Sequence, residues 1–219
     1  MKLKKTFNTS GSGRILFMSD IHYNHPGILR HNSNTRPFQD TAEMNEWLTE
    51  NIWSKIKGND IVFDLGDTFW NMKTPDIENI LGKIKGTMYK IVGNHDSYGL
   101  YHGDQAVLKK YYSGIFDLLD IKVIHEGIEY MCTLSHYPLV SWNHKPYGCF
   151  NLHGHCHGNI DDFNESSSDL RVDIGFDGKL VQTLGTPLIE FKDILKYFQK
   201  KFNGETDIRK YVISKCTEL

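Results

Sequence analysis

Ile15-Leu16-Phe17-Met18-Ser19-Asp20-Ile21-His22 decides how this chain is read: four apolar residues run straight into a carboxylate and an imidazole two positions apart. Two later stretches repeat that grammar. Ile61-Val62-Phe63 leads into Asp64-Leu65-Gly66-Asp67, and Tyr89-Lys90-Ile91-Val92 leads into Gly93-Asn94-His95-Asp96. Short apolar runs halted by Gly, Asp or Asn read as buried strands. Helical stretches separate them, and strand, helix, strand, helix, strand predicts an α/β fold with a parallel sheet and right-handed crossovers. In open sheets of this kind ligands collect beyond the carboxyl ends of the strands, so Asp20, Asp67 and Asn94 are expected on one edge.

Two further runs extend the set. Tyr130 to Leu134 precede Ser135-His136, and Cys149 to Leu152 precede His153-Gly154-His155-Cys156-His157. The donors are then three side chains offering oxygen and several imidazoles, with no thiolate pattern. That mixture suits borderline first-row ions, Mn first with Fe, Zn, Co or Ni as alternatives, and its imidazoles argue against an all-oxygen calcium site. Seven or eight ligands exceed the needs of one tetrahedral ion, so the count points to two divalent metal ions sharing a carboxylate.

The ordered blocks Asp20-Ile21-His22, Gly66-Asp67, Gly93-Asn94-His95-Asp96, His136 and Gly154-His155-Cys156-His157 resemble the calcineurin-like metallophosphoesterase superfamily, of the small bacterial or phage type. The resemblance spans residues 20 to 157. It implies a four-layer αββα sandwich, two mixed sheets flanked by helices, with Asp20, His22 and His157 as ligands of one metal. It further implies Asn94, His136 and His155 as ligands of the other, Asp67 as the bridging carboxylate, and His95 as a non-ligand that protonates the leaving oxygen. Protein Ser/Thr phosphatases of the superfamily usually carry Asp-Arg-Gly after the Gly-Asp block and a glutamate after Gly-Asn-His. Here Asp67-Thr68-Phe69 and Asn94-His95-Asp96 stand instead, which argues against that activity.

Two cations about 3.5–4 Å apart hold a hydroxide between them and grip a phosphoryl oxygen, so no covalent nucleophile is required. Proton donation by His95 to the leaving group is worth about 10²–10⁴-fold. The expected activity is therefore phosphodiester hydrolysis on a small nucleotide-like molecule or a short nucleic-acid end. A phosphomonoesterase and, more remotely, a non-catalytic metal-binding scaffold are the alternatives. Asp96 is read either as an acceptor that orients His95 or as a residue that closes the turn. Arg36, on the loop after the first strand, is read as a phosphate contact or as half of a surface salt bridge. His25, three residues beyond His22, is the next substrate candidate.

Composition sets the outer bounds. The chain has 219 residues, 39% of them hydrophobic, enough for one domain over 1–219. A net charge of −2 lacks the basic stripe that nonspecific duplex binding needs. The amino-terminal lysines are followed by a polar stretch rather than a signal-peptide core, no run has membrane-spanning length, and four cysteines without CxxC spacing suit reduced thiols. A cytoplasmic protein without membrane contact is expected. Helices are expected over 41–57, after Pro75, over about 104–112 and over 188–201, with strands over 170–174, 179–183 and 209–214, and residues 97–120 are a candidate lid.

Overall fold

Alternation along the apolar runs explains the architecture. In β2 (Ile15–Met18), Ile15 and Phe17 face one buried cluster while Leu16 and Met18 face another, and in β3 (Ile61–Asp64) Phe63 and Val62 divide the same way. β4 (Thr87–Ile91) sends Tyr89 and Ile91 to the first cluster and Met88 to the second. A strand side chain alternates faces with period 2, so strands that are apolar throughout are buried on both sides.

The computed structural model describes residues 5–11, 13–96, 105–202, 204, 208 and 210. Two mixed five-stranded sheets pack face to face and are flanked by helices. One sheet runs β10-β2-β3-β4-β5, with β5 at Tyr112–Phe116 and β10 at Ile189–Glu190; β2 to β5 are parallel and β10 is antiparallel to β2. The other runs β1-β6-β7-β8-β9, where β1 is Lys5–Asn8, β6 Leu118–His125, β7 Ile128–Ser135, β8 Phe150–His153 and β9 Arg171–Asp173. Phe63 anchors the layer between the sheets, fully buried with its ring 5.1 Å from Phe7, 5.3 Å from Phe17 and 5.4 Å from Tyr89.

The first sheet's other face is covered by helical residues. α1 (Pro26–His31), α2 (Thr41–Asn51), α3 (Thr74–Leu81) and α4 (Gln105–Tyr111) contribute Ile28, Met44, Leu48, Ile77, Leu81 and Leu108. Asp40 caps α2 by accepting from the backbone N–H groups of Ala42 and Glu43, both at 2.9 Å, which satisfies donors that have no intrahelical partner. α5 (Asp161–Ser166) follows β8, α6 (Lys179–Leu184) follows β9 and α7 (Phe191–Lys201) follows β10, and Phe191, Ile194 and Phe198 of α7 enter the inter-sheet core.

Three expectations change. Lys179 to Thr183 is helical rather than extended: Leu180, Val181 and Leu184 form a helical stripe, and Gly185 at φ 66° ends it in the left-handed conformation glycine adopts without strain. The helix begun at Thr41 stops at Asn51 and passes into a 3₁₀ turn at Trp53–Lys55. Of the stretch read as a lid, 97–104 lies outside the described residues, while 105–111 is helix and 112–116 an edge strand. The strand expected over 209–214 falls almost wholly outside the described residues.

Because Phe63 fills the space between four strands, Phe63→Ala is expected to lower the unfolding free energy by about 3–5 kcal/mol in urea titrations. A loss below about 1 kcal/mol would show that the aromatic layer does not hold the sheets together.

Candidate metal centre

The backbone continues the sheet past the strand ends before it releases the polar residues. Asp20 N–H donates to the Gly66 carbonyl at 3.0 Å, His22 N–H to Asp67 at 2.9 Å and Tyr23 N–H to Thr68 at 2.8 Å. Ser19 and Gly175 form a parallel bridge, which ties the segment after β9 to the same edge. Asp20, His22, Asp67, His155 and His157 all have positive φ, between 49° and 70°. Such values are uncommon for residues with a Cβ and concentrate at functional sites. Close approach is bought with glycine: a Cβ on Gly93 would overlap the Asp67 carboxylate, and one on Gly154 would overlap Ser19 and Asp20.

The seven expected ligands converge. Donor atoms of Asp20, His22 and His157 lie within 4.8 Å of one another, as do those of Asp20, Asp67 and His136. Asn94 Oδ1 is 2.9 Å from His136 Nε2 and 2.9 Å from His155 Nδ1. Asp67 Oδ2 sits among three imidazoles, 3.3 Å from His136 Nε2, 3.8 Å from His22 Nε2 and 3.9 Å from His95 Nε2. Asp20 is common to both carboxylate–histidine groups, and Asp67 touches donors on both sides.

Buried polar atoms test whether these residues fit a cation. Asp20 Oδ2 accepts from the His155 N–H at 2.9 Å, while Asp20 Oδ1 and His22 Nε2 are buried without a hydrogen-bond partner. Such orphans are costly unless something else satisfies them. His136 Nδ1 lies 2.8 Å from the Leu65 carbonyl and donates to it, which turns the Nε2 lone pair toward the oxygens of Asn94 and Asp67. A lone pair facing two acceptor oxygens needs a proton or a cation between them. The donor set fits a metal, and without one the proton takes its place: burial opposes protonation of His136, but the Asp67 hydrogen bond and the charges of Asp20 and Asp67 outweigh it and push its pKa up to about 9. Burial drives His22 well below its ordinary value and lifts Asp20 to about 6.

His95 stands apart in exposure. Its backbone N–H donates to Asp67 Oδ1 at 2.8 Å, yet its side chain is 34% exposed. The ring centroid is 4.8 Å from Trp70, which in turn lies 3.8 Å from the His25 ring. His25 is kept neutral, its pKa lowered to about 4 by burial first and then by the neighbouring His95 and Arg36. On the opposite rim, Tyr137 is 49% exposed and 4.5 Å from His155.

Two expectations do not survive the geometry. Asp96 does not orient His95; its carboxylate accepts from the N–H groups of Asp67, Thr68 and Gly93 at 2.8, 3.3 and 2.9 Å, and pairs with Lys90 at 2.9 Å. It closes the turn, joining the Gly-Asp and Gly-Asn loops. Arg36 is neither a surface salt bridge nor a phosphate contact, because its side chain is wholly buried against Asp177 and the backbone of Asp20 and Ile21. Sequence reading missed Asp177, whose Oδ2 accepts from His157 Nδ1 at 2.7 Å. The signal was present: Leu170 to Asp173, then Ile174-Gly175-Phe176-Asp177-Gly178, repeats the pattern of an apolar run broken by acid and glycine. Lys90 was missed as well; it is buried between Asp64 and Asp96 and also contacts Thr68.

An α/β sandwich with carboxylates and imidazoles gathered at its strand ends is the build of a metal-dependent hydrolase. The family model for calcineurin-like phosphoesterases matches residues 13–203, and the chain belongs to that family, whose members hydrolyse phosphoesters with bound metal. The chain is 28% identical over 179 residues to the uncharacterised protein MJ1445 of Methanocaldococcus jannaschii, covering 78% of this chain and 96% of that one. It also shares its fold with the crystal structure of AQ665, a protein of unknown function from Aquifex aeolicus. That match has a TM-score of 0.59 at 21% identity over 85% of this chain and all of the other. No helix among the described residues is long and apolar enough to cross a membrane.

The raised pKa of His136 has a measurable consequence. A histidine whose folded pKa exceeds its unfolded value of about 6.5 contributes stability below that pH and loses it as pH rises. Chelator-treated protein is therefore expected to melt at a lower temperature at pH 9 than at pH 6.5, and His136→Gln is expected to flatten that difference. Equal pH dependence in the two proteins would show that His136 holds no proton in the metal-free state.

Proposed function

We propose that this chain is a two-metal phosphodiesterase acting on a small nucleotide-like substrate or a short nucleic-acid end, with His95 as the general acid. Asp20, His22 and His157 would hold one ion and Asn94, His136 and His155 the other, with Asp67 between them. When bound, two divalent ions supply Lewis acidity, acidifying a water and neutralising charge that develops on the phosphoryl group. The observation that carries the reading is the division of labour in the cluster. Asp20, His22, Asp67 and His136 are buried, with Asp67 Oδ2 near both His22 and His136, whereas His95, also near Asp67 Oδ2, keeps a third of its side chain exposed.

The chain's own residues then do the following. Asp67 Oδ1 holds the His95 backbone, so the ring keeps its place when the substrate arrives. From there the ring would give a proton to the leaving alkoxide. Trp70 and His25 wall that side of the site with flat rings, which supports a leaving group that itself carries a planar ring, as a nucleoside does. Neutral His25 adds no charge to that wall, so discrimination there rests on shape and stacking.

The test is hydrolysis of bis-p-nitrophenyl phosphate and p-nitrophenyl phosphate by protein stripped with chelator and resupplied with Mn. Faster diester cleavage that disappears in Asp67→Asn is the expected result. Cleavage of the monoester alone would replace the reading with a phosphatase, and silence on both would leave a non-catalytic scaffold. His95→Ala is expected to cut turnover by about 10²–10⁴-fold while the protein retains its Mn, and an unchanged rate would remove the residue from the mechanism.

A further inference from the structure

The two halves of the cluster are held by different means. On one side His136 leans on a backbone carbonyl, that of Leu65. On the other, His157 Nδ1 donates to a buried carboxylate, and that carboxylate is gripped by a buried guanidinium. Arg36 Nε donates to Asp177 Oδ1 at 3.0 Å and Oδ2 at 3.2 Å, and Nη2 to Oδ2 at 2.9 Å. The remaining donors of the same guanidinium reach the carbonyls of Ile21 at 3.0 Å and Asp20 at 2.6 Å. Thr35 donates to Asp177 Oδ1 at 2.5 Å, and the Phe176 ring lies 4.0 Å from the guanidinium carbon.

One cation therefore ties together the backbone beside Asp20 and His22 and, through Asp177, the ring of His157. From this geometry we infer that Asp177 and Arg36 are positioning residues for the ion held by Asp20, His22 and His157, and that they govern that ion more strongly than its neighbour. The inference rests on the reading that the cluster holds two ions. A carboxylate accepting from Nδ1 fixes the tautomer of His157, leaves the Nε2 lone pair for the ion and raises its basicity. An arginine fork holds that carboxylate in one plane, which a lysine does not do. His136 leans on the Leu65 carbonyl and on Asn94, and His155 on Asn94 and, through its N–H, on Asp20 Oδ2, so the second ion is expected to respond to changes at Arg36 or Asp177 less strongly than the first.

The test is a Mn titration of the full chain followed by electron paramagnetic resonance, with folding checked by circular dichroism. Wild-type protein at saturation is expected to give the signal of an exchange-coupled pair. At the same free Mn, Asp177→Asn is expected to give the six-line signal of an isolated ion, and the coupled signal should return only at about 10–100-fold higher Mn. Thr35→Val, which removes one donor to Asp177 from a partly exposed loop, is expected to produce a smaller shift of the same kind and serves if Asp177→Asn does not fold. Coupled signals at wild-type Mn concentration in the folded variants would overturn the inference, as would equal loss of both ions. Absence of bound Mn in the wild-type protein would instead overturn the two-metal reading beneath it.

Discussion

Buried acceptors that face one another are the constraint on which this structure depends. Asp20 and Asp67 are both almost completely buried, and the nitrogen lone pairs of His22 and His136 point at their oxygens rather than at donors. In a low-dielectric interior such an arrangement is costly unless a positive charge sits within it. Elsewhere Asp64 and Asp96 share Lys90, Asp177 has Arg36, and Asp173 accepts from the N–H groups of Gly158 and Gly175. Asp20 and Asp67 each accept one backbone N–H, and the side chains that could bring positive charge to them are imidazoles. Either protons or metal ions complete the charge balance, and the orphaned atoms mark where ions fit.

The fold serves that constraint from two directions. Parallel strands deliver Asp20, Asp67 and Asn94 to one edge of the first sheet, while β7 and β8 deliver His136, His155 and His157 from the second. The left-handed backbone at five of the seven donors turns those side chains inward. Each such residue carries strain of order 1–3 kcal/mol, which the surroundings must offset. The Lys90 network does part of this: Asp96 accepts from the N–H groups of Asp67 and Thr68 in one turn and Gly93 in the other, and Lys90 pairs with Asp96. Residues without catalytic contact thus determine where the donors stand.

The sequence was informative wherever local grammar and tertiary position coincide. Apolar runs broken by Asp, Asn or Gly located strand ends, and the structure gathers the polar residues that follow them at one edge. Of the two readings of Asp96, the turn-closing one holds. Arg36 was misread because a charged residue near a site looks solvent-facing in one dimension, and nothing local reveals that Asp177, 141 positions away, receives the guanidinium. Likewise Lys90, inside an apolar strand, reads as an exposed edge residue until its pairing with Asp64 and Asp96 is seen. The α6 segment, expected as a strand, is too short to show a helical period, and the glycines on either side mark a turn and a half of helix.

The most direct measurement of the central claim is anomalous diffraction from crystals of the protein grown with Mn. The account requires two peaks about 3.5–4 Å apart, one beside Asp20, His22 and His157 and one beside Asn94, His136 and His155, with Asp67 between them. A single peak, or ions bound away from these residues, would contradict it.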